Sequence, residues 1–382
     1  MKIICIIFKK TLDFFSHYDK LNTETLKPLL LQYARREAFC LEKVKFAVVG
    51  VGGFGTRHAA TICCHPDAEL VCVCDIRQSV AMQKADKYNC TYYTDYKEML
   101  RDGGFDCVVV ATGDQAHAEI SIAAISAGYH VLCEKPLALN HDDCRDIVRA
   151  AKRSDKIFAV GQSIRKAKNF VVARDMIREG KIGEVFSAEL EYSHNYARLK
   201  PEWRRDKEKL RHPIIGGGCH VIDTLRWTLG EDPLEVIALA NHKALVDWPV
   251  DDCTIAIMKM PSGAIAKVTC SIGIQRNYTC AATFCGTEGT IEANSIADNL
   301  IYHKKSKSYD EDFKFDEMEI SVGGSETHKV DFEISEMCRA VRLGESISCD
   351  ALEGAKTVAV GLAAVESARL GGLPVKPNYD FD

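Results

Sequence analysis

Val44-Lys45-Phe46-Ala47-Val48-Val49-Gly50-Val51-Gly52-Gly53-Phe54-Gly55 is a short apolar run that breaks into a glycine-rich turn. The apolar part predicts a strand, and the segment Thr56 to Cys64, stopped near Pro66, predicts a helix. The spacing Gly50-x-Gly52-x-x-Gly55 is weak by itself. Its setting strengthens it, because a second apolar run, Glu69 to Cys74, follows and ends in Asp75. Gly50 permits the turn, Gly52 lets backbone approach a pyrophosphate, and Gly55 allows helix and strand to pack closely; Gly53 and Phe54 complete the loop. The free N–H groups of the helix start suit phosphate charge. Asp75 is placed to accept hydrogen bonds from ribose hydroxyls. Its carboxylate repels a 2′-phosphate, so NAD is the expected cofactor. Arg77, two residues on past Ile76, can pair with such a phosphate, which keeps NADP as the alternative.

Working outward, strands and helices alternate tightly up to residue 160. Asp106 to Ala111 and Tyr129 to Lys135 read as strands, and Ser79 to Tyr88, Gln115 to Ala127 and Asp142 to Lys152 as helices. Near-continuous apolar strands alternating with helices mean a parallel sheet covered on both faces, so residues 44–160 form an α/β, doubly wound, Rossmann-type domain. After Gly161 the rhythm changes to longer, half-alternating strands joined by short turns such as Pro261-Ser262-Gly263. Residues 161–382 therefore read as a second domain of α+β type with an antiparallel or mixed sheet. Residues 1–43 fit neither unit. The fold pattern begins at Leu41, and Arg35-Arg36-Glu37 just upstream suits a purine-rich ribosome-binding stretch, so Leu41 is read as the biological start.

Bulk composition is that of an average soluble domain, with 47% hydrophobic and 27% charged residues. A net charge of −5 leaves no electrostatic footprint for nucleic acid and no polybasic membrane patch, so a small molecule is the expected partner. Seventeen cysteines without a Cys-x-x-Cys pair read as reduced thiols in a cytoplasmic protein, and no metal-ligand spacing is present. The apolar run Ile3 to Phe8 is too short to span a membrane.

Tyr129-His130-Val131-Leu132-Cys133-Glu134-Lys135-Pro136 ends a buried strand in an acid, a base and a proline. A lysine at the carboxyl end of a parallel strand sits where such sheets bind ligands. Its ammonium can bond a substrate hydroxyl and move its proton. Glu134 either holds that lysine or touches cofactor ribose. Here the chain resembles the glucose–fructose oxidoreductase/inositol dehydrogenase/rhizopine catabolism (Gfo/Idh/MocA) family. The likeness is carried by the glycine loop, by Ala111-Thr112-Gly113-Asp114-Gln115-Ala116-His117, by Glu134-Lys135-Pro136-Leu137-Ala138, by Gly216-Gly217-Gly218-Cys219-His220-Val221-Ile222-Asp223 and by Gly286-Thr287-Glu288-Gly289-Thr290. It implies a Rossmann domain followed by a large open sheet whose exposed face builds dimers or tetramers. It implies NAD(P)-dependent oxidation or reduction of a sugar, cyclitol or related polyol. Lys135 falls on the family's catalytic lysine, and Thr112, His117 and Glu134 on positions lining the cofactor.

His220 opens a helix after three glycines that would let a ligand approach backbone, and Asp223 lies on the same helical face. His220 is read as bonding the reacting hydroxyl and sharing proton transfer with Lys135. Inositol dehydrogenase-like members carry an acid four residues before this histidine, where this chain has Gly216, so Lys135 is left as the main acid/base. Arg165, His194 and Tyr196 are candidate substrate contacts, with Trp203 as a sugar-stacking plane and Arg204 as a hydroxyl or carboxylate donor. The competing readings are a glycosidase or epimerase that retains NAD and oxidises its substrate transiently, and a non-catalytic cofactor-bound sensor. If Leu41 is the start, the natively expressed protein will have the intact mass of a chain beginning there; a species beginning at Met1 refutes it.

Overall fold

The computed structural model describes residues 42–197, 199, 202–305, 316–323 and 330–382. The proposed start at Leu41 lies outside them. The first unit runs β1 (Val44–Val49), α1 (Gly53–Cys64), β2 (Ala68–Cys74), α2 (Gln78–Tyr88), β3 (Thr91–Tyr93), α3 (Tyr96–Asp102), β4 (Cys107–Val110), α4 (His117–Ser126), β5 (His130–Cys133), α5 (His141–Lys152) and β6 (Phe158–Val160). The strands form one parallel sheet in the order β3-β2-β1-β4-β5-β6. Strand order reverses between β1 and β4, and that switch opens a crevice at the strands' carboxyl ends. All four residues of β4 are buried, as two-sided helical cover requires.

The second unit starts with α6 (Lys168–Arg178), β7 (Val185–Ser193), the single turn α7 (Pro213–Gly216) and α8 (Cys219–Leu229). It continues with β8 (Glu235–Asn241), β9 (Cys253–Lys259), β10 (Ile265–Ser271), β11 (Thr279–Gly286), β12 (Gly289–Asn294), β13 (Asn299–Lys304) and β14 (Asp316–Ser321), then α9 (Asp331–Leu343) and α10 (Ala351–Arg369). Eight strands line up as β14-β13-β12-β11-β7-β10-β9-β8, antiparallel except where β7 meets β10. One face is buried: Leu190, Met258, Val268 and Phe284 join Val221, Leu225 and Val358 in a continuous core. The other face is open, and Ile237 opposite Ile257 and Leu239 opposite Ile255 stand exposed on it.

The chain then crosses back. Ile334, Met337 and Cys338 of α9 are buried with Phe46, Val48, Ile62 and Val109 of the first unit. Val160 N–H donates to the Cys349 carbonyl at 2.9 Å, and Ala159 bridges Asp350. A division at residue 160 therefore separates the two sheets but not the C-terminal helices, since α9 completes the cover of the parallel sheet. Its helical apolar spacing is readable in sequence; the sheet that receives it is not. Ile334→Ala removes a buried side chain shared by both ends of the chain, and should cost about 2–5 kcal/mol in denaturant unfolding.

Candidate active site

The loop after β1 is shaped for a dinucleotide. Gly50 has φ +83°, and a Cβ there would lie 2.7 Å from the Ala111 carbonyl oxygen. A Cβ on Gly55 would strike the Gly50 carbonyl, whereas a Cβ on Gly53 meets nothing within 4 Å, so the loop is closed on its inner side and open outward. Gly52 caps α1 without a side chain, which leaves the first N–H groups of the helix for an anion. Asp75, buried at the end of β2, accepts from Val51 N–H at 3.2 Å. It also accepts from the Arg77 backbone N–H and from its guanidinium at 3.0 and 3.1 Å. Arg77 is thus folded onto the acid rather than held apart from it, and Ile76 is almost fully exposed. Thr112 closes the far side of the loop, its Cα 2.8 Å from where a Gly50 Cβ would stand.

Beyond β5, the Lys135–Pro136 peptide is cis. The Pro136 carbonyl lies 2.8 Å from His117 Nδ1; a carbonyl only accepts, so that nitrogen carries the proton. Lys135 is half-buried, and its Nζ stands 5.8 Å from the centre of the Phe54 ring on the glycine loop. No described residue hydrogen-bonds or ion-pairs with that ammonium. Glu134 points the other way: Oε1 meets His58 Nε2 of α1 at 2.7 Å, and Oε2 accepts from the Lys135 backbone N–H at 3.3 Å. It therefore braces the loop from inside, with both carboxylate oxygens engaged there. Glu333 of α9 comes to 3.8 Å from the same His58 nitrogen. Burial raises Glu134, but the His58 bond and charge, then Lys135 and His117, outweigh it and hold this carboxyl below its ordinary range. Burial, then Glu134 and Glu336, push Glu333 well above the ordinary value of 4.5, since two neighbouring buried carboxylates do not both ionise. The fold brings these one imidazole and two carboxylates within 4.8 Å, a grouping absent from sequence spacing. The Lys135 charge beside both acids opposes a cation there.

The second unit supplies a wall of rings and cations. His220 is fully buried, its ring centre 6.0 Å from that of Tyr192. The Tyr192 hydroxyl bonds Tyr196 at 3.0 Å and His194 Nδ1 at 3.2 Å. The glycines before His220 clear space for protein and not for ligand. A Cβ at Gly216 would collide with the Arg211 guanidinium, one at Gly217 with the Tyr192 ring, and one at Gly218 would lie 2.6 Å from the Ile214 carbonyl. Arg211 is itself buried and paired with buried Asp114. The Trp203 ring lies 3.4 Å from where a Gly113 Cβ would stand, and the Trp203 carbonyl accepts from Gln115 Nε2 at 2.9 Å, so residues 203–211 lie across the β4 end of the crevice. Arg204 sits over the rings of Tyr196 and Trp203, at 5.3 and 4.9 Å.

Two stretches match family descriptions: residues 44–162 the "oxidoreductase family, NAD-binding Rossmann fold" and residues 170–292 the "GFO/IDH/MocA C-terminal domain". The chain belongs to the Gfo/Idh/MocA oxidoreductase family. Among curated relatives, inositol 2-dehydrogenase of Salmonella typhimurium is 28% identical over 280 residues, covering 72% of this chain and 80% of its own. D-glucoside 3-dehydrogenase of Escherichia coli K12 is 30% identical over 272 residues, covering 66% and 77%. 2,7-Anhydro-N-acetylneuraminate hydratase of the same organism is 31% identical over 235 residues, covering 59% and 61%. The solved structure of levoglucosan dehydrogenase with NADH shares the fold, with TM-score 0.80 and 23% identity over 88% of this chain and all of that one. NAD binding by the N-terminal unit follows from family membership, and the loop geometry fits it.

In this Gfo/Idh/MocA chain, two expected substrate contacts are turned inward. Arg165 Nε and a terminal nitrogen each donate to Asp223 at 2.7 Å, both residues being buried, and Thr357 adds a third bond to Asp223 at 3.1 Å. The pair locks the segment after β6 onto α8 and α10 and has no free edge for a sugar. Sequence reading missed His58, Glu333, Tyr192, Asp114 and Arg211. Only Asp114 stood in a quoted motif; the others come from separated segments that carry no spacing rule. An acid whose folded pKa lies above its ordinary value weakens folding as pH rises between the two, because the unfolded chain ionises first. Glu333→Gln should therefore raise the melting temperature by little near pH 5 and by progressively more as the pH rises above that. A pH-independent difference would count against a protonated Glu333.

Proposed function

We propose that this protein transfers hydride reversibly between NAD and a carbinol carbon of a sugar, cyclitol or related polyol, with Lys135 as the general acid/base. One observation carries the reading: the ammonium of Lys135, with no hydrogen bond to a described residue, stands at the glycine loop over the Phe54 ring on a braced turn. When bound, the dinucleotide supplies or accepts the hydride. Gly50 to Gly55 and Asp75 hold it, and Thr112 lines its crevice. Lys135 takes the hydroxyl proton in oxidation and returns it in reduction. His220 and Tyr192 shape the far wall, and with His220 fully covered its role is to orient this wall while Lys135 moves the proton. NAD is favoured over NADP because Asp75 faces the loop and neutralises Arg77. The many buried free thiols support a cytoplasmic setting. A homodimer or homotetramer is supported by the exposed apolar face of the large sheet around Ile237, Leu239, Ile255, Ile257 and Ile265.

A relative named as a hydratase favours a second reading, transient oxidation with NAD restored in each cycle. Net NADH formation over monosaccharides, cyclitols and glycosides separates the two: accumulation supports the first, product without NADH the second. Lys135→Ala should lower kcat by about 10²–10⁴-fold while leaving NAD affinity nearly intact. Loss of both together would make Lys135 a cofactor or folding residue. Asp75→Ala should weaken NAD more than NADP, because it also frees Arg77 to meet a 2′-phosphate. An equal effect removes Asp75 from ribose recognition.

A further inference from the structure

The charges around the crevice do not balance. Arg211 is neutralised by Asp114, the acid that faces Arg204 among the described residues. Lys135 has acids behind it, Glu134 bonded to His58 and Glu333 raised well above its ordinary value by burial and then by Glu134. Arg204 differs from both. Its Nε is shut off from solvent without a hydrogen-bond partner, and its guanidinium makes no ion pair with a described residue. The ring faces of Tyr196 and Trp203 hold it in place. Burial, then the Arg211 charge, oppose its protonated form, so it stands in an environment that costs the folded protein energy. His194, between this arginine and Lys135, is pushed below its ordinary 6.5 by burial, then by Arg204 and by Lys135, so it adds no negative charge and no positive one at neutral pH. Unpaired cations kept in a cleft mark a place for an anion.

We infer that the substrate is a carboxylated sugar or cyclitol, its carboxylate held by Arg204 above the Trp203 and Tyr196 rings and its reacting hydroxyl by Lys135. A planar guanidinium held over two rings has its edge left for a ligand, and that edge matches a planar carboxylate in a two-point bond. Arg211, packed into the space at Gly216 and paired with Asp114, forms the wall behind Arg204. The inference rests on the sugar oxidoreductase reading and narrows its substrate class.

The test compares matched pairs with the intact enzyme and NAD: D-glucuronate against D-glucose, and D-galacturonate against D-galactose, with D-glucose 6-phosphate as a further arm. Calorimetric titration of the NADH-loaded enzyme with D-glucuronate, in which the carbinol cannot be oxidised, gives a readout independent of turnover. The acids should exceed their neutral partners in kcat/KM by about tenfold or more. Arg204→Met should weaken D-glucuronate binding by about tenfold to a hundredfold without moving NAD affinity, and Arg204→Lys should restore part of it. Should Arg204→Met fail to fold, the comparison of acids with neutral sugars on the parent enzyme still decides. Neutral sugars handled as well as the acids, or no binding of either uronate, overturns the proposal while leaving hydride transfer intact. Preference for the sugar phosphate overturns the carboxylate in favour of a phosphate. Arg204-dependent binding of D-glucuronate with no NADH from any sugar upholds this site and sinks the hydride-transfer reading instead.

Discussion

The contact on which the site depends is the 2.7 Å bond between His58 and Glu134. A carboxylate buried at the tip of β5 has to find a partner, because an isolated charge in that environment is too costly to keep. His58 comes from α1, the helix whose start faces the cofactor loop, and Glu333 comes from α9, which arrives from the far end of the chain. One buried cluster therefore ties together the cofactor loop, the Lys135 turn and the helix that closes the parallel sheet. With Glu134 occupied on its inner side, Lys135 is the charged group of the motif that is left to face the crevice.

The second unit uses the same logic with opposite sign. Two of its buried cations, Arg165 and Arg211, are matched by buried aspartates, Asp223 and Asp114. These pairs join segments far apart in sequence: Arg165 fixes the chain leaving β6 to α8, and Arg211 fixes the covering segment to the loop after β4. Removing one member of such a pair leaves an uncompensated charge, so each pair acts as a lock even where its net contribution is small. Arg204, only partly buried, lacks such a match among the described residues.

Much of the first unit was legible. The period of apolar residues and the glycine spacing specify strand, turn and helix locally, and the observed β2, α2 and α5 begin and end within a residue of the expected bounds. The last three strands were not read. Their alternation is weak, since β14 lies at the sheet edge with most of its residues exposed, and β12 and β13 are short. Gly216 to Gly218 were misread for a related reason. A glycine announces that something comes close, but not what; here it is Arg211, Tyr192 and the Ile214 carbonyl.

The sequence by itself determined the two sheets, the dinucleotide loop, Asp75 at the end of β2 and the position of Lys135 at a strand tip. These follow from short-range patterns, where residue type and spacing set backbone geometry directly. Only the tertiary structure decided which charges meet. It turned Glu134 inward to His58, spent Arg165 on Asp223, filled the space at Gly216 with Arg211 and returned α9 to the first unit. A charge's role depends on its nearest opposite charge and on its burial, and both are set by segments distant in the chain, which local patterns do not encode.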